Sequence, residues 1–142
     1  MTPILKWLIL TALINVTVPT AAPESGIASR YDPGVMGHTI AARLDMGHLT
    51  PQQVAAVDVY VAVLDCADIG RNVWIWFNGA DDWLPALVTD CAVRDDSDGA
   101  RSWMVDNGVL FEVDGTTAAR YGYTCVCSKP ALMSWVDPWV MP

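Results

Sequence analysis

Two tryptophans alternate in the apolar run NVWIWF at residues 72–77, and this spacing could place two indole rings on one surface. Alternate side chains of a β-strand share a face, so Trp74 and Trp76 would lie roughly 7 Å apart. Two indoles at that distance could stack on successive sugar rings, because each combines a large apolar face with a polar N–H. The opposite face would carry Val73, Ile75 and Phe77. The alternative is that both indoles are buried beneath the tryptophan-rich C-terminal segment, under Trp135 or Trp139.

The chain contains four cysteines, Cys66, Cys91, Cys125 and Cys127, which permit three pairings. Cys66 and Cys91 lie in similar phrases, VLDCAD and VTDCAV, each at the end of an apolar, β-rich run. Two such strand ends can be neighbours in a small barrel, so we predict a Cys66–Cys91 disulfide; the pairing of Cys125 and Cys127 stays open. Zinc is the weaker interpretation, because neither the Cys-x-Cys pair nor the two histidines have a known ligand spacing. We therefore predict no metal and no cofactor.

The composition is that of a folded, acidic, single-domain protein. Of its 142 residues, 53% are hydrophobic and 17% are charged, which excludes a disordered chain. Asp and Glu number 16 against 8 Lys and Arg. Nucleic-acid binding needs a basic surface, so nucleic acid is excluded as a partner. No long apolar run follows residue 22, so we expect a chain that is not inserted in a membrane. We also expect a monomer.

The N-terminal residues have the three-part pattern of a secretory signal. A short start containing Lys6 precedes the apolar stretch WLILTALINVTV, and the small residues Thr20 and Ala22 precede the predicted cleavage point. The apolar stretch is too short for an ordinary transmembrane helix, although an uncleaved anchor is the alternative. We predict a signal peptide over residues 1–22 and a secreted or extracytoplasmic location, where disulfides form.

The remaining chain has the pattern of many short strands separated by turn residues. The strands are predicted at 26–31, in the second half of 54–64, and at 72–77, 84–89, 103–105 and 109–113. Residues 35–49 are predicted to be irregular, and short helices are predicted after the Thr50-Pro51 cap and over 114–121. This pattern predicts an all-β fold, a small barrel over residues 23–124, with residues 125–142 as a tail packed on it.

Three motifs together resemble the domains of the rare-lipoprotein-A family. The run GIASRYDPGVMG at 26–37, with Thr39-Ile40-Ala41-Ala42 after it, resembles the family's G-x-A-S-x-Y opening and Thr-Ala segment. The stretch from Ile69 to Asp90 resembles its strand, turn and strand ending in V-x-D, and VDGTTAARYG at 113–122 resembles its I-D-L-S-x-x-A-A run. The motifs keep the family's order over most of residues 26–122. The resemblance implies a six-stranded double-psi β-barrel, a fold shared with expansins, that acts on wall polysaccharide such as peptidoglycan.

The resemblance also implies which acidic residues line the groove of the barrel. Asp90 matches the family's acidic set cleanly, and Asp45 matches it imperfectly. Arg43 stands where the lytic members carry a glutamate, and residues 64–66 stand where they carry a histidine. Asp90 and Asp45 are therefore the candidate catalytic residues, and the two departures favour a protein that binds glycan without cleaving it.

The chemistry expected of these residues leaves two functions open. Cleavage of a glycosidic bond needs a carboxylic acid to protonate the leaving oxygen, and an arginine beside Asp90 would keep that carboxylate ionised. Tyr31 and Asp32 lie in the family's groove position and are candidate sugar contacts, whereas Asp114 is interpreted as a helix cap. The first function is a secreted barrel that binds wall glycan, with or without cleavage. The alternative is a binding or structural barrel without glycan chemistry, in which Asp90 fixes a loop.

Overall fold

The computed structural model describes residues 22–92 and 99–135, which form a closed barrel. The predicted signal peptide, up to residue 21, and Trp139 lie outside the described residues. The strands are β1 (Glu24–Arg30), β2 (Val59–Val63), β3 (Asn72–Phe77), β4 (Leu84–Cys91), β5 (Val109–Val113) and β6 (Lys129–Trp135). The helices are α1 (Val35–Asp45), α2 (Pro51–Ala55), α3 (Ala100–Asn107) and α4 (Gly115–Arg120), with a 3-10 turn at Cys66–Asp68.

The strands follow the order β1-β5-β2-β4-β3-β6 around the closed barrel. The β1/β5 and β2/β4 contacts are parallel, and the other four contacts are antiparallel. Exchanging the first three strands with the last three leaves this set of contacts unchanged, so the two halves interlock about a pseudo-twofold axis. The six-stranded double-psi barrel is therefore confirmed, with more helix around it than the one or two short helices predicted.

The interior of the barrel is filled by the inward face of each strand. Val73, Ile75 and Phe77 of β3 are fully buried, together with Val61, Val88 and Phe111 from neighbouring strands. The buried Tyr123 packs against Phe77, with ring centroids 5.5 Å apart, and donates its hydroxyl hydrogen bond to the carbonyl of Ala28. Alternation of aliphatic and polar or aromatic residues along β3 predicted this inward face correctly.

The tryptophans of β3 share the other face of the strand, as predicted, but they do not form an open platform. Trp74 is only 7% exposed, so its indole is part of the core. Trp76 is half-buried and donates its indole N–H to the carbonyl of Ala80, 3.0 Å away in the same hairpin. Trp135 lies opposite Val73 in the register, on the opposite face from Trp74, so it does not cover the two indoles.

Two predicted segments are helical instead. Residues 35–45 form α1 because Met36 is completely buried against β4, and this packing outweighs the glycine and threonine within the helix. Residues 103–105 lie in α3, where Met104 is buried and Trp103 and Val105 are exposed. A short apolar run does not distinguish strand from helix by itself.

The C-terminal segment was predicted to be a tail packed on the barrel, but residues 129–135 form a strand of the barrel itself. Strand β6 pairs with β1 on one side and with β3 on the other, and so closes the barrel. Pro130 and the mixed burial along KPALMSW obscure the alternation that identifies a strand. The barrel therefore extends beyond residue 124.

The Cys66–Cys91 disulfide is confirmed, and a second disulfide joins Cys125 to Cys127. The Cα atoms of Cys66 and Cys91 are 4.9 Å apart, where the 3-10 turn begins and β4 ends. Thr50 caps α2 through a reciprocal bond with Gln53, as its sequence predicted. Within residues 22–92 and 99–135, no helix is long and apolar enough to cross a membrane.

Removing the Cys66–Cys91 disulfide in a Cys66→Ser/Cys91→Ser variant should lower the free energy of unfolding by about 3 kcal/mol, because the bridge closes the longer loop in the unfolded chain. Urea denaturation of the oxidised protein measures this loss. The matched Cys125→Ser/Cys127→Ser variant opens a much smaller loop and should lose less. An equal loss in both variants would show that loop length does not decide the contribution.

Candidate functional site

A single row of side chains crosses the outer face of four adjacent strands. Ser29 of β1 lies opposite Glu112 of β5, Glu112 lies opposite Ala62 of β2, and Ala62 lies opposite Asp90 of β4. Strands are spaced about 4.8 Å apart, so two strand steps separate the Cα atoms of Glu112 and Asp90 by roughly 10 Å. We call these four residues the carboxylate row. Ala62 lies between the two acidic residues in this register and is only 1% exposed.

Asp90 accepts two hydrogen bonds, one on each carboxylate oxygen. The hydroxyl of Tyr31 donates to Oδ2 at 2.9 Å, and Nη2 of Arg43 donates to Oδ1 at 2.9 Å. The Arg43 and Asp90 side chains are only 20% and 18% exposed, so this ion pair is largely shielded from water. The structure thus brings Tyr31 and Asp90 together, as expected, and adds Arg43 as the ionic partner.

Tyr31 is held in place by its own backbone. Its N–H donates to the carbonyl of Val113 at 2.9 Å, which extends the β1/β5 pairing by one residue. Gly115 lies against the same segment, where a Cβ atom would overlap the carbonyl of Tyr31. Burial, and then the negative charge of Asp90, raise the pKa of Tyr31, so its hydroxyl stays protonated and serves as a donor.

Arg43 is delivered to Asp90 by the packing of α1 on β4. Met36, in the first turn of α1, accepts a hydrogen bond on its sulfur from the Thr89 hydroxyl at 3.1 Å. Met36 and Arg43 are seven residues apart, two helical turns, so they share one face of the helix. Nη1 of Arg43 lies 3.2 Å from Nδ1 of the exposed His48. One arginine therefore connects Asp90 to the chain that follows α1.

Glu112 is the site residue that the sequence did not reveal. It is half-buried, and its Oε1 accepts a hydrogen bond from the Ser29 hydroxyl at 2.8 Å. Burial raises the pKa of Glu112; the Ser29 hydrogen bond lowers it, and the charge of Asp90 raises it. The available signal was a single acidic residue inside the apolar strand VLFEV, but only the register shows that it faces Asp90.

The other predicted acidic residues lie apart from this arrangement. Asp32 and Asp45 are exposed, and no side-chain hydrogen bond or ion pair among the described residues joins either of them to Asp90. Asp114 caps α4, as predicted, by accepting hydrogen bonds from the backbone N–H groups of Thr116 and Thr117. Within residues 22–92 and 99–135, no group of three or more His, Cys, Asp or Glu side chains could hold a metal ion.

No protein-family model matches this chain, and no curated protein matches it. The likeness to rare-lipoprotein-A domains is therefore a resemblance of three motifs, and the function has to be argued from the geometry of the site.

A double-mutant cycle with Asp90→Asn and Arg43→Met should give a coupling free energy of about 1–2 kcal/mol, because both groups are shielded and charge-assisted hydrogen bonds are stronger than neutral ones. Urea denaturation of the four proteins measures it. The Asp68–Arg71 ion pair is the matched control: Arg71 is 45% exposed, and its coupling should be below about 1 kcal/mol. Equal couplings would contradict the shielding inferred for Asp90.

Glu112→Gln should make the protein more stable at neutral pH and flatten its stability profile. In the folded state Glu112 has a raised pKa, so folding favours its protonated form. The free energy of unfolding therefore falls as pH rises from the unfolded pKa through the folded one. The substituted amide would keep an acceptor for Ser29 without this titration. Urea denaturation of the unmodified protein and of Glu112→Gln at several pH values tests the effect, and Glu24→Gln is the charge-matched control. If Glu112→Gln were destabilised relative to the unmodified protein more at neutral pH than at acidic pH, the prediction would be contradicted.

Proposed function

We propose that this protein binds wall polysaccharide on the outer face of its barrel, along the carboxylate row. One observation carries the proposal. Asp90 accepts hydrogen bonds from both Tyr31 and Arg43, and a second carboxylate, Glu112, lies in the same row. Sugar hydroxyls are both donors and acceptors. A surface that offers carboxylate oxygens, a guanidinium group and a phenol ring can bond them on several sides.

The charge of the protein favours a glycan over a phosphate-rich polymer. The net charge is −8, and the row contributes two acidic side chains, of which Asp90 is ion-paired with Arg43. A polyanion would be repelled from this face, whereas neutral sugar rings would not be. The resemblance to rare-lipoprotein-A and expansin-like domains supports the same class of ligand, with peptidoglycan-type glycan as the first candidate.

The proposed place of action is the cell wall or periplasm. Two disulfides fit an oxidising, extracytoplasmic environment. The signal-like N-terminal sequence supports export to that environment. In this proposal the barrel meets the glycan after export and acts without a cofactor.

A barrel without glycan chemistry is the second candidate, and one observation favours it. Both oxygens of Asp90 already have protein partners, so the carboxylate can serve mainly to tie α1 and Tyr31 to the barrel. In that case substitutions of Asp90 would change the stability of the protein and leave its affinity for polysaccharide untouched.

Purified protein should co-sediment with peptidoglycan sacculi or with cellulose, and Tyr31→Ala should weaken this binding by about 3- to 10-fold through loss of ring contact. The matched control is Trp103→Ala, which removes an exposed aromatic ring, 44% exposed, from α3 and should leave binding unchanged. Binding isotherms at constant salt give the two affinities. Failure of the unmodified protein to sediment with either polysaccharide would refute the proposed function.

A further inference from the structure

We propose that the disulfide between Cys125 and Cys127 is redox-active and oxidises the thiols of other molecules by disulfide exchange. The substrate class is an accessible dithiol. This activity is separate from polysaccharide binding, because the two cysteines lie in the loop between α4 and β6, outside the carboxylate row. The Cys66–Cys91 disulfide of the same chain provides an internal comparison.

The Cys125–Cys127 bond is open to attack from solvent. Both cysteines are exposed, and Val126 between them is 91% exposed. An attacking thiolate has to reach a sulfur atom directly, so exposure of both cysteines favours exchange. Cys91 of the other disulfide is only 7% exposed, and the next residue, Ala92, belongs to an apolar cluster. Such surroundings disfavour a thiolate on Cys91, so the two disulfides differ in how readily they open.

The fold does not depend on the Cys125–Cys127 bond. The bond encloses a single residue, so it removes little conformational entropy from the unfolded chain. The backbone of the loop has its own anchors, because Nε of Arg30 donates to the carbonyl of Cys125 at 3.3 Å. The hydroxyl of the buried Tyr123 donates to the carbonyl of Cys127. These two bonds keep the cysteines near each other after reduction, so the disulfide can open and close in the folded protein.

The charges around the loop favour the thiolate that leaves when the disulfide opens. The net charge of the protein is −8, yet residues 115–135 contain no Asp or Glu. Arg30 bonds to the loop, and Nζ of Lys129 lies 5.2 Å from the centroid of the Tyr123 ring. Glu112 is the acidic group that acts on Tyr123, and burial raises the pKa of Glu112. Two cations beside a cysteine stabilise its thiolate form.

The exchange balances in two steps. A thiolate of the substrate attacks one sulfur of the Cys125–Cys127 disulfide, the bond between the two sulfurs breaks, and the other cysteine leaves as a thiolate that takes up a proton. The second thiolate of the substrate then attacks the substrate sulfur of the mixed disulfide and displaces the remaining cysteine. The substrate loses two electrons and becomes a disulfide. The protein gains the two electrons and, with two protons, becomes a dithiol.

Equilibration of the oxidised protein in glutathione buffers tests the proposal without any substitution. After an acid quench and alkylation, mass spectrometry measures the reduced fraction of each disulfide. Cys125–Cys127 should be half-reduced at a value of [GSH]²/[GSSG] at least about 10-fold lower than Cys66–Cys91. Circular dichroism should show that the fold survives this first reduction. Reduction of both disulfides together, or of Cys66–Cys91 first, overturns the proposal.

A synthetic peptide with two cysteines serves as the probe substrate. In the absence of oxygen, the oxidised protein should convert the peptide to its disulfide in equal amount. Cys125→Ser/Cys127→Ser should abolish this oxidation, whereas the matched Cys66→Ser/Cys91→Ser variant, with folding checked by circular dichroism, should retain it. Peptide that stays reduced with the unmodified protein, or oxidation that survives Cys125→Ser/Cys127→Ser, overturns the proposal.

The rate of exchange with 2-mercaptoethanol, an uncharged thiol, tests the two cations. Arg30→Gln and Lys129→Gln should each lower this rate by about 3- to 10-fold, and Lys129→Arg, which keeps the charge, should restore it. Arg120→Gln is the matched control, because the charge of Arg120 acts on Tyr60. An equal rate in Arg30→Gln, Lys129→Gln and the unmodified protein would overturn the role assigned to these cations.

Discussion

The short antiparallel contact between β2 and β5 is the constraint on which the rest of the structure depends. It consists of two residue pairs, Val61 with Val113 and Ala62 with Glu112, and it lies where the two interlocked halves of the chain meet. Val61 and Val113 point into the core, so hydrophobic burial fixes the register. A slip of β5 by one residue would turn Glu112 into the barrel and Val113 out of it. The packing of the core therefore also decides that the two carboxylates share the outer face.

Electrostatics then divides the outer face into two unlike halves. On the β4 side, helix α1 brings a guanidinium group to Asp90, and the resulting pair is shielded from water. On the β5 side, Glu112 has a hydroxyl partner and no arginine bonded to it among the described residues. Burying a charge is costly without a partner, and this cost raises the pKa of Glu112. The asymmetry arises from helix packing, since the barrel itself is close to symmetric in its strand pairing.

Local chemistry made several features predictable from sequence. The alternation in β3, the Thr50 and Asp114 caps and the Cys66–Cys91 pairing depend on neighbouring residues or on strand ends, and all were found. Segments whose structure depends on distant contacts were predicted wrongly. Helix α1 is stabilised by Met36 against β4, and β6 exists because two other strands flank it. The burial of Trp74 could not be predicted from alternation either. Alternation shows which side chains share a face of the strand, but it does not show whether other residues cover that face.

The sequence by itself determined an acidic, disulfide-bonded, all-β chain with Asp90 at the end of an apolar strand and Tyr31 after another. Composition, turn residues and periodicity predict these features because each feature depends only on a few neighbouring residues or on the total residue content. Only the tertiary structure decided that Glu112 faces Asp90 across Ala62, and that Arg43 reaches the same carboxylate. Those positions are 22 and 47 residues from Asp90 along the chain. Their proximity comes from the closed barrel, in which β2 pairs with both β5 and β4, and the register of these pairs is set by core burial and leaves no local trace in the sequence.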